Sequence, residues 1–327
     1  MKKFIACLMA GLMIMGALTA CSPTNAKTSQ NDKLNVVCTI FPEYDWVREI
    51  LGSHADNAEI TMLLDNGVDL HSYQPTANDI IKISNCDMFI YVGGESDQWV
   101  KDALKEATNK NMAVINLMEV LGDTVKEEEV VDGMEAEEEE HEDGEEEGPE
   151  YDEHVWLSLK NAKIFCNYIA SKLGEIDNAN AGDYSANAEA YGKKLDELDQ
   201  SYQQAVKAAK QNTVLFGDRF PFRYLADDYG LTYYAAFVGC SAETEASFKT
   251  IAFLSKKVDE LGLGSVLTIE GTKHKIAETI VQNTTDKDQT VRSMDSMQST
   301  TSKDVENGTT YLSIMQANLE VLKEALN

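Results

Sequence analysis

The chain has 327 residues and a formal net charge of −28, from 56 carboxylates against 28 Lys and Arg. That balance excludes a nucleic-acid partner, which needs a basic footprint, and disfavours anionic membranes and polyphosphates while favouring divalent cations. The length exceeds one ordinary domain, so two lobes are expected.

Lys2 and Lys3 followed by FIACLMAGLMIMGALTAC form a basic and then an apolar region, the pattern of an export signal over residues 1–20 rather than a spanning helix. Leu18-Thr19-Ala20-Cys21 resembles a bacterial lipobox, which makes Cys21 the site of lipid attachment; the alternative is a plain secretory signal with an accidental cysteine. Residues 21–33 are polar and apolar-poor, as a flexible tether is. Beyond Cys7 and Cys21 the chain holds Cys38, Cys86, Cys166 and Cys240, without CxxC spacing. Cys38 and Cys166 sit in strand and helix patterns and read as buried thiols. A thiolate ligand at Cys240 is a secondary alternative to the same bland role.

From residue 34 onward, apolar runs alternate with helical patterns. Strands are predicted over Leu34–Ile40, Ala58–Leu64, Asp87–Val92 and Met112–Leu117, with helices between them, which means a parallel sheet covered on both faces. An acidic tract then interrupts the pattern. Glu127 to Glu153 contains 17 carboxylates, His141 and no Lys or Arg, and leaves −11 for the rest of the chain. Such a tract cannot bury enough apolar surface to offset its ordering entropy and reads as a mobile, solvated loop.

Folded-protein sequence resumes at His154. Leu159, Ala162, Phe165, Ile169 and Leu173 recur at helical spacing, and then Tyr184 to Ala209 repeat every three or four residues. The second run predicts one helix roughly 40 Å long, enough to cross the molecule. The α/β pattern returns after it, with strands over Thr213–Phe216, Thr232–Phe237, Val266–Ile269 and Thr290–Met294. The expected fold is therefore α/β with two lobes, each a mostly parallel four-stranded sheet with flanking helices, joined by one long connecting helix. The expected division is an N-terminal lobe over 34–180 with the acidic loop 127–153, a connecting helix over 181–211 and a C-terminal lobe over 212–327.

Ligands of open parallel sheets bind beyond the carboxyl ends of the strands. The first lobe offers His71, Glu95 and His154 there; the second offers Asp218, Arg219, Glu243, Glu245, Glu270 and Asp295. Imidazole with carboxylate suits zinc, iron or manganese. Each residue also has a plainer role. His54 and His274 read as surface residues at helix ends, His141 as an isolated imidazole adding at most a weak contact, and Glu270 as a structural acid.

These residues carry a resemblance. Asp69-Leu70-His71-Ser72-Tyr73-Gln74-Pro75-Thr76 is similar to the histidine-aromatic-Glu-Pro-Thr segment of the metal-binding lipoproteins of bacterial zinc and manganese ABC importers, with Gln74 at the usual acid. Asp152-Glu153-His154-Val155-Trp156-Leu157 resembles that family's Asp-Pro-His-X-Trp-Leu. A charged insertion before the latter motif is typical of zinc-type members. Met294-Asp295-Ser296, with Thr310-Tyr311-Leu312-Ser313, looks like the C-terminal section. One position departs: Arg219, in Arg219-Phe220-Pro221-Phe222-Arg223-Tyr224, stands where the family has a third histidine. A guanidinium cannot ligate a cation; pairing with an acid such as Glu243, or holding an anion that accompanies the metal, is expected of it.

The resemblance implies an exported, lipid-anchored solute-binding protein, a monomer, that passes a divalent metal to a membrane permease driven by its ATPase. It implies His71, His154, Glu245 and Asp295 as the metal ligands and zinc as the cargo, with manganese or a metal chelate as the alternative. It implies no enzymatic activity. A metallohydrolase would need a base beside an open coordination position, and the chain has neither an HExxH motif nor a GxxxxGK[ST] loop. A surface adhesion protein with a vestigial metal site is the other competing reading.

Overall fold

The computed structural model describes residues 33–135, 150–241, 245–271 and 273–327. The export signal, Cys21, the tether to residue 32, His141 and Glu243 lie outside the described residues.

The first sheet holds β1 (Leu34–Cys38), β2 (Ala58–Met62), β3 (Met88–Tyr91) and β4 (Ala113–Asn116), in the order β2-β1-β3-β4 and parallel throughout. The second holds β5 (Thr213–Phe220), β6 (Thr232–Val238), β7 (Ser265–Ile269) and β8 (Thr290–Met294), in the order β6-β5-β7-β8, again parallel. Crossover helices cover the faces, which is why β7 is buried at all five positions. Register slips once in β5, between Phe216 and Arg219, at the strand end that faces the first lobe's histidines.

The predicted connecting helix is Ala181–Ala208. Tyr184, Ala188, Tyr191, Leu195, Leu198 and Tyr202 form its buried stripe at alternating spacings of four and three. It is fastened near both ends: Asn187 donates to the Ile50 carbonyl at 2.9 Å, and the Tyr202 hydroxyl to the Met315 carbonyl at 2.6 Å. The C-terminal helix Tyr311–Ala325 adds a second tie, since Tyr311 N–H donates to Asp45 and its hydroxyl to the Trp156 carbonyl. Trp46, Trp156, Phe165 and Tyr311 are fully buried in one apolar core that spans both lobes. Cys38, Cys86 and Cys166 are buried, and all four described cysteines are free thiols.

The acidic tract is not a free loop along its whole predicted length. Residues 127–135 are laid against the second lobe and 150–153 lead straight into the core. Glu127 bridges Tyr151 antiparallel, and Glu135 bridges Phe237 on β6, donating its N–H to the Ala236 carbonyl at 2.9 Å. Glu129 accepts from the Tyr233 hydroxyl and pairs with Arg223, and Met134 is buried. Composition argued for solvation; particular hydrogen bonds to the other lobe outweigh it here.

Candidate metal centre

His71 sits on a single 3-10 turn, Leu70–Ser72, opened by Asp69, whose side chain accepts the His71 N–H at 3.0 Å. His154 is fully buried, and Asp152 fixes it twice, accepting its backbone N–H at 2.8 Å and facing its Nδ1 at 3.0 Å. Asp152 is held in turn through its carbonyl by the Tyr224 hydroxyl. The two Nε2 atoms then lie 3.2 Å apart.

The tautomers follow from the partners. A carboxylate at Nδ1 makes that nitrogen of His154 the N–H and leaves Nε2 a bare lone pair. His71 Nδ1 lies 2.8 Å from Ser96 Oγ, and Glu153 stands behind Ser96, taking its backbone N–H at 2.9 Å. Glu153 Oε2 is 3.4 Å from the same Nδ1, without the alignment of a hydrogen bond. Burial, and next the neighbouring His154, pull His71 down to about 3, so it is neutral at physiological pH. Two lone pairs thus face each other at contact distance and want a cation between them. Nitrogens bound tetrahedrally to zinc at its usual bond length stand roughly 3.3 Å apart.

Backbone shape makes this approach possible. A side chain on Gly94, at φ +80°, would collide with the Glu153 carboxylate at 2.3 Å, and one on Gly239 would sit 2.9 Å from the Phe220 carbonyl and 3.1 Å from the His154 ring. The cleft over the histidines is lined by Glu95, Glu128, Glu150 and Glu153 together with Cys240, an acidic mouth for a cation.

Among the described residues, the group of three ligand-type side chains with donor atoms within 4.8 Å of one another is His71, His154 and Cys240. Glu245 and Asp295 are not in it. Glu245 is exposed in the segment before the helix Phe248–Leu261. Asp295 is folded back on its own loop, accepting the Met297 N–H at 2.7 Å; burial, with Glu270 beside it, pushes its carboxyl up to about 7. The reason is Glu270, which accepts from the Ser296 N–H, the Ser296 hydroxyl and the Gln298 N–H and so shapes the loop after β8. That shape brings Gln298 to His154, its amide nitrogen 3.4 Å from Nε2. Asp218 is spent on the Thr268 hydroxyl. Arg219 pairs with Asp69 and also donates to the Ser241 carbonyl at 3.3 Å. Against the cost of burial, Arg219 and then His71 hold the Asp69 carboxyl below its ordinary value. Of the other histidines, His54 contacts Asp183 and His274 contacts Thr268. Gln298 carried no signal in the sequence, and Cys240 carried only its residue type.

Two α/β lobes, braced by a fastened helix, meet across a pair of imidazoles whose Nε2 atoms face one another, an arrangement that can hold a metal ion. The family model described as "ZnuA: Zinc-uptake complex component A periplasmic" matches residues 36–325, and the chain belongs to that family. The zinc-binding lipoprotein AdcA of Streptococcus pneumoniae is 31% identical over 325 residues, covering 99% of this chain and 61% of that protein. This chain therefore spans about three fifths of the length of that relative. The high-affinity zinc uptake system protein ZnuA of Bacillus subtilis is 28% identical over 97% of both. Among solved structures, the Zn(II)-bound ZnuA-like domain of S. pneumoniae AdcA superposes with a TM-score of 0.71 at 27% identity, over 90% of this chain and 99% of that one. The laminin-binding adhesin Lmb of Streptococcus agalactiae, at 24% identity and TM-score 0.72 over 90% of this chain and all of that one, shares the fold.

Proposed function

We propose that this protein captures zinc between its two lobes, outside the cytoplasm, and hands it to the permease of an ABC importer. The observation that carries the reading is the His71–His154 pair, with Nε2 atoms 3.2 Å apart and each Nδ1 already engaged. The printed names of AdcA and ZnuA, both zinc proteins, support the same cargo. The acid-rich donor set that would favour manganese is not assembled, because Glu245 is exposed and Asp295 is turned to Met297.

His71 and His154 bind the ion, Asp152, Ser96 and Glu153 orient them, and the acidic mouth concentrates cations. Capture and release involve coordination alone. Ties between the lobes at Tyr202, Tyr311 and Trp156 oppose wide hinge opening, so release runs through rearrangement of the loops at the strand ends. The working unit is a monomer of two lobes, 34–180 and 212–327, flanking the helix, with a lipid on Cys21 as its anchor. Elemental analysis followed by chelator competition tests the reading: one zinc per chain is expected, held far more tightly than manganese. A chain with no affinity for zinc overturns it. Replacing Cys21 with Ala should release the protein from membranes.

A further inference from the structure

Resting on the zinc-capture reading, we propose that the Cys240 thiolate is the third ligand of the ion and the Gln298 side-chain oxygen the fourth. Cys240 Sγ lies with the two Nε2 atoms inside a 4.8 Å group, and it comes from the second lobe, so the two lobes close on one ion. Its loop is placed for this. Gly239, immediately before it, packs against His154 so tightly that no side chain fits. Cys240 N–H donates to Glu128 at 3.1 Å, and Arg219 grips the next carbonyl, that of Ser241.

Gln298 supplies the independent sign of a ligand. It is 4% exposed, and its Oε1 is buried with no hydrogen-bond partner, although its Nε2 stands 3.4 Å from the imidazole nitrogen that faces the cleft. A buried amide oxygen without a partner is costly. Turning the amide over exchanges its two ends, gives up the Nε2 contact to Ser296 Oγ at 3.3 Å and presents the oxygen to the ion.

Arg219 then has a defined part. It cannot ligate, but it joins the Cys240 loop to Asp69, the residue that opens the His71 turn. It is a positioning residue that spans both halves of the site. Two imidazoles, a thiolate and a neutral oxygen suit tetrahedral zinc and discriminate against manganese, which prefers oxygen donors. The thiol proton passes to water as the zinc–sulfur bond forms.

Cobalt(II) is the probe, loaded into the full chain in place of zinc. A thiolate-to-cobalt charge-transfer band in the near ultraviolet is expected for the wild type and for Cys86→Ser, and should vanish in Cys240→Ser. Chelator competition should show zinc affinity reduced roughly 100-fold or more by Cys240→Ser, at or beyond the upper end of the loss typical of an outer-shell partner, and about tenfold by Gln298→Leu. Wild-type cobalt protein without that band overturns the assignment, as does wild-type zinc affinity in Cys240→Ser when His154→Ala has lost it. Failure of the wild type to bind either ion overturns the capture reading itself, and this assignment with it.

Discussion

The two sheets share one strand order, yet their strand ends are used in opposite ways. In the first lobe, carboxylates sit behind the histidines and turn each ring: Asp152 on His154, and Glu153 through Ser96 on His71. In the second lobe, carboxylates hold the loops themselves, through backbone N–H groups and hydroxyls. Glu270 takes three donors from the loop after β8, Asp218 takes Thr268, and Asp295 takes Met297. A strand-end acid is therefore a poor guide to a metal ligand until its neighbours' N–H groups are accounted for. What remains for the ion on the second side is a thiol and an amide.

The contrast can be broken most directly at His154. His154→Ala should abolish tight zinc binding, a loss well beyond about 100-fold by chelator competition, because it removes a ligand and takes the imidazole from buried Asp152. Asp152→Asn keeps the shape and removes the charge that sets the tautomer; affinity should fall about 10- to 100-fold. Arg219→Ala leaves Asp69 half-buried and unpaired. Denaturant titration of the metal-free chain should show a loss of about 2 kcal/mol, accompanied by weaker zinc binding.

A smaller effect appears with pH. His71 is held at about 3 in the folded chain, below its ordinary value of about 6.5 when unfolded. The unfolded chain thus binds a proton that the folded chain refuses, so stability falls as pH drops from about 6.5 toward 3. The metal-free wild type should lose thermal stability over that window faster than His71→Gln, which has nothing to titrate. Parallel curves for the two would mean that His71 is not buried as neutral imidazole. The smallest effect is expected at Glu245→Ala, whose zinc affinity should match the wild type; a clear loss would restore the second lobe's carboxylates to the site.

Much of this was legible in the chain. Parallel sheets bury whole strands, so LNVVC and SVLTI announce themselves as apolar runs, and the long helix follows from its Tyr and Leu spacing. The strand predicted over Met112–Leu117 stops at Asn116, and the short helix Leu117–Leu121 that follows carries no signal, since five residues are too few to show a period. His71 and His154 stood out because both fall on loops at the strand ends and lie in segments that resemble the family's two histidine motifs. Cys240, two residues beyond β6, offers only its residue type as a sign of ligation, and Gln298 offers none, because neither carries a charge that advertises its use. Glu245 and Asp295 were favoured by motif and position, and position does not say which N–H groups a carboxylate accepts. The acidic tract misled for a similar reason: mean composition is silent about which glutamate finds Arg223 or the Ala236 carbonyl.

That last contact has a consequence for solubility. β6 is the outermost strand of its sheet and reads TYYAAFV, seven residues with no charge and strong β preference, the composition that pairs with copies of itself when left open. The segment ending at Glu135 touches it at Ala236 and Phe237 and, through Glu129, at the Tyr233 hydroxyl. A length of chain from the first half of the sequence therefore guards the rim of the second sheet. Removing residues 127–135 should open that edge, and light scattering of the deletion variant should show more self-association than the full chain.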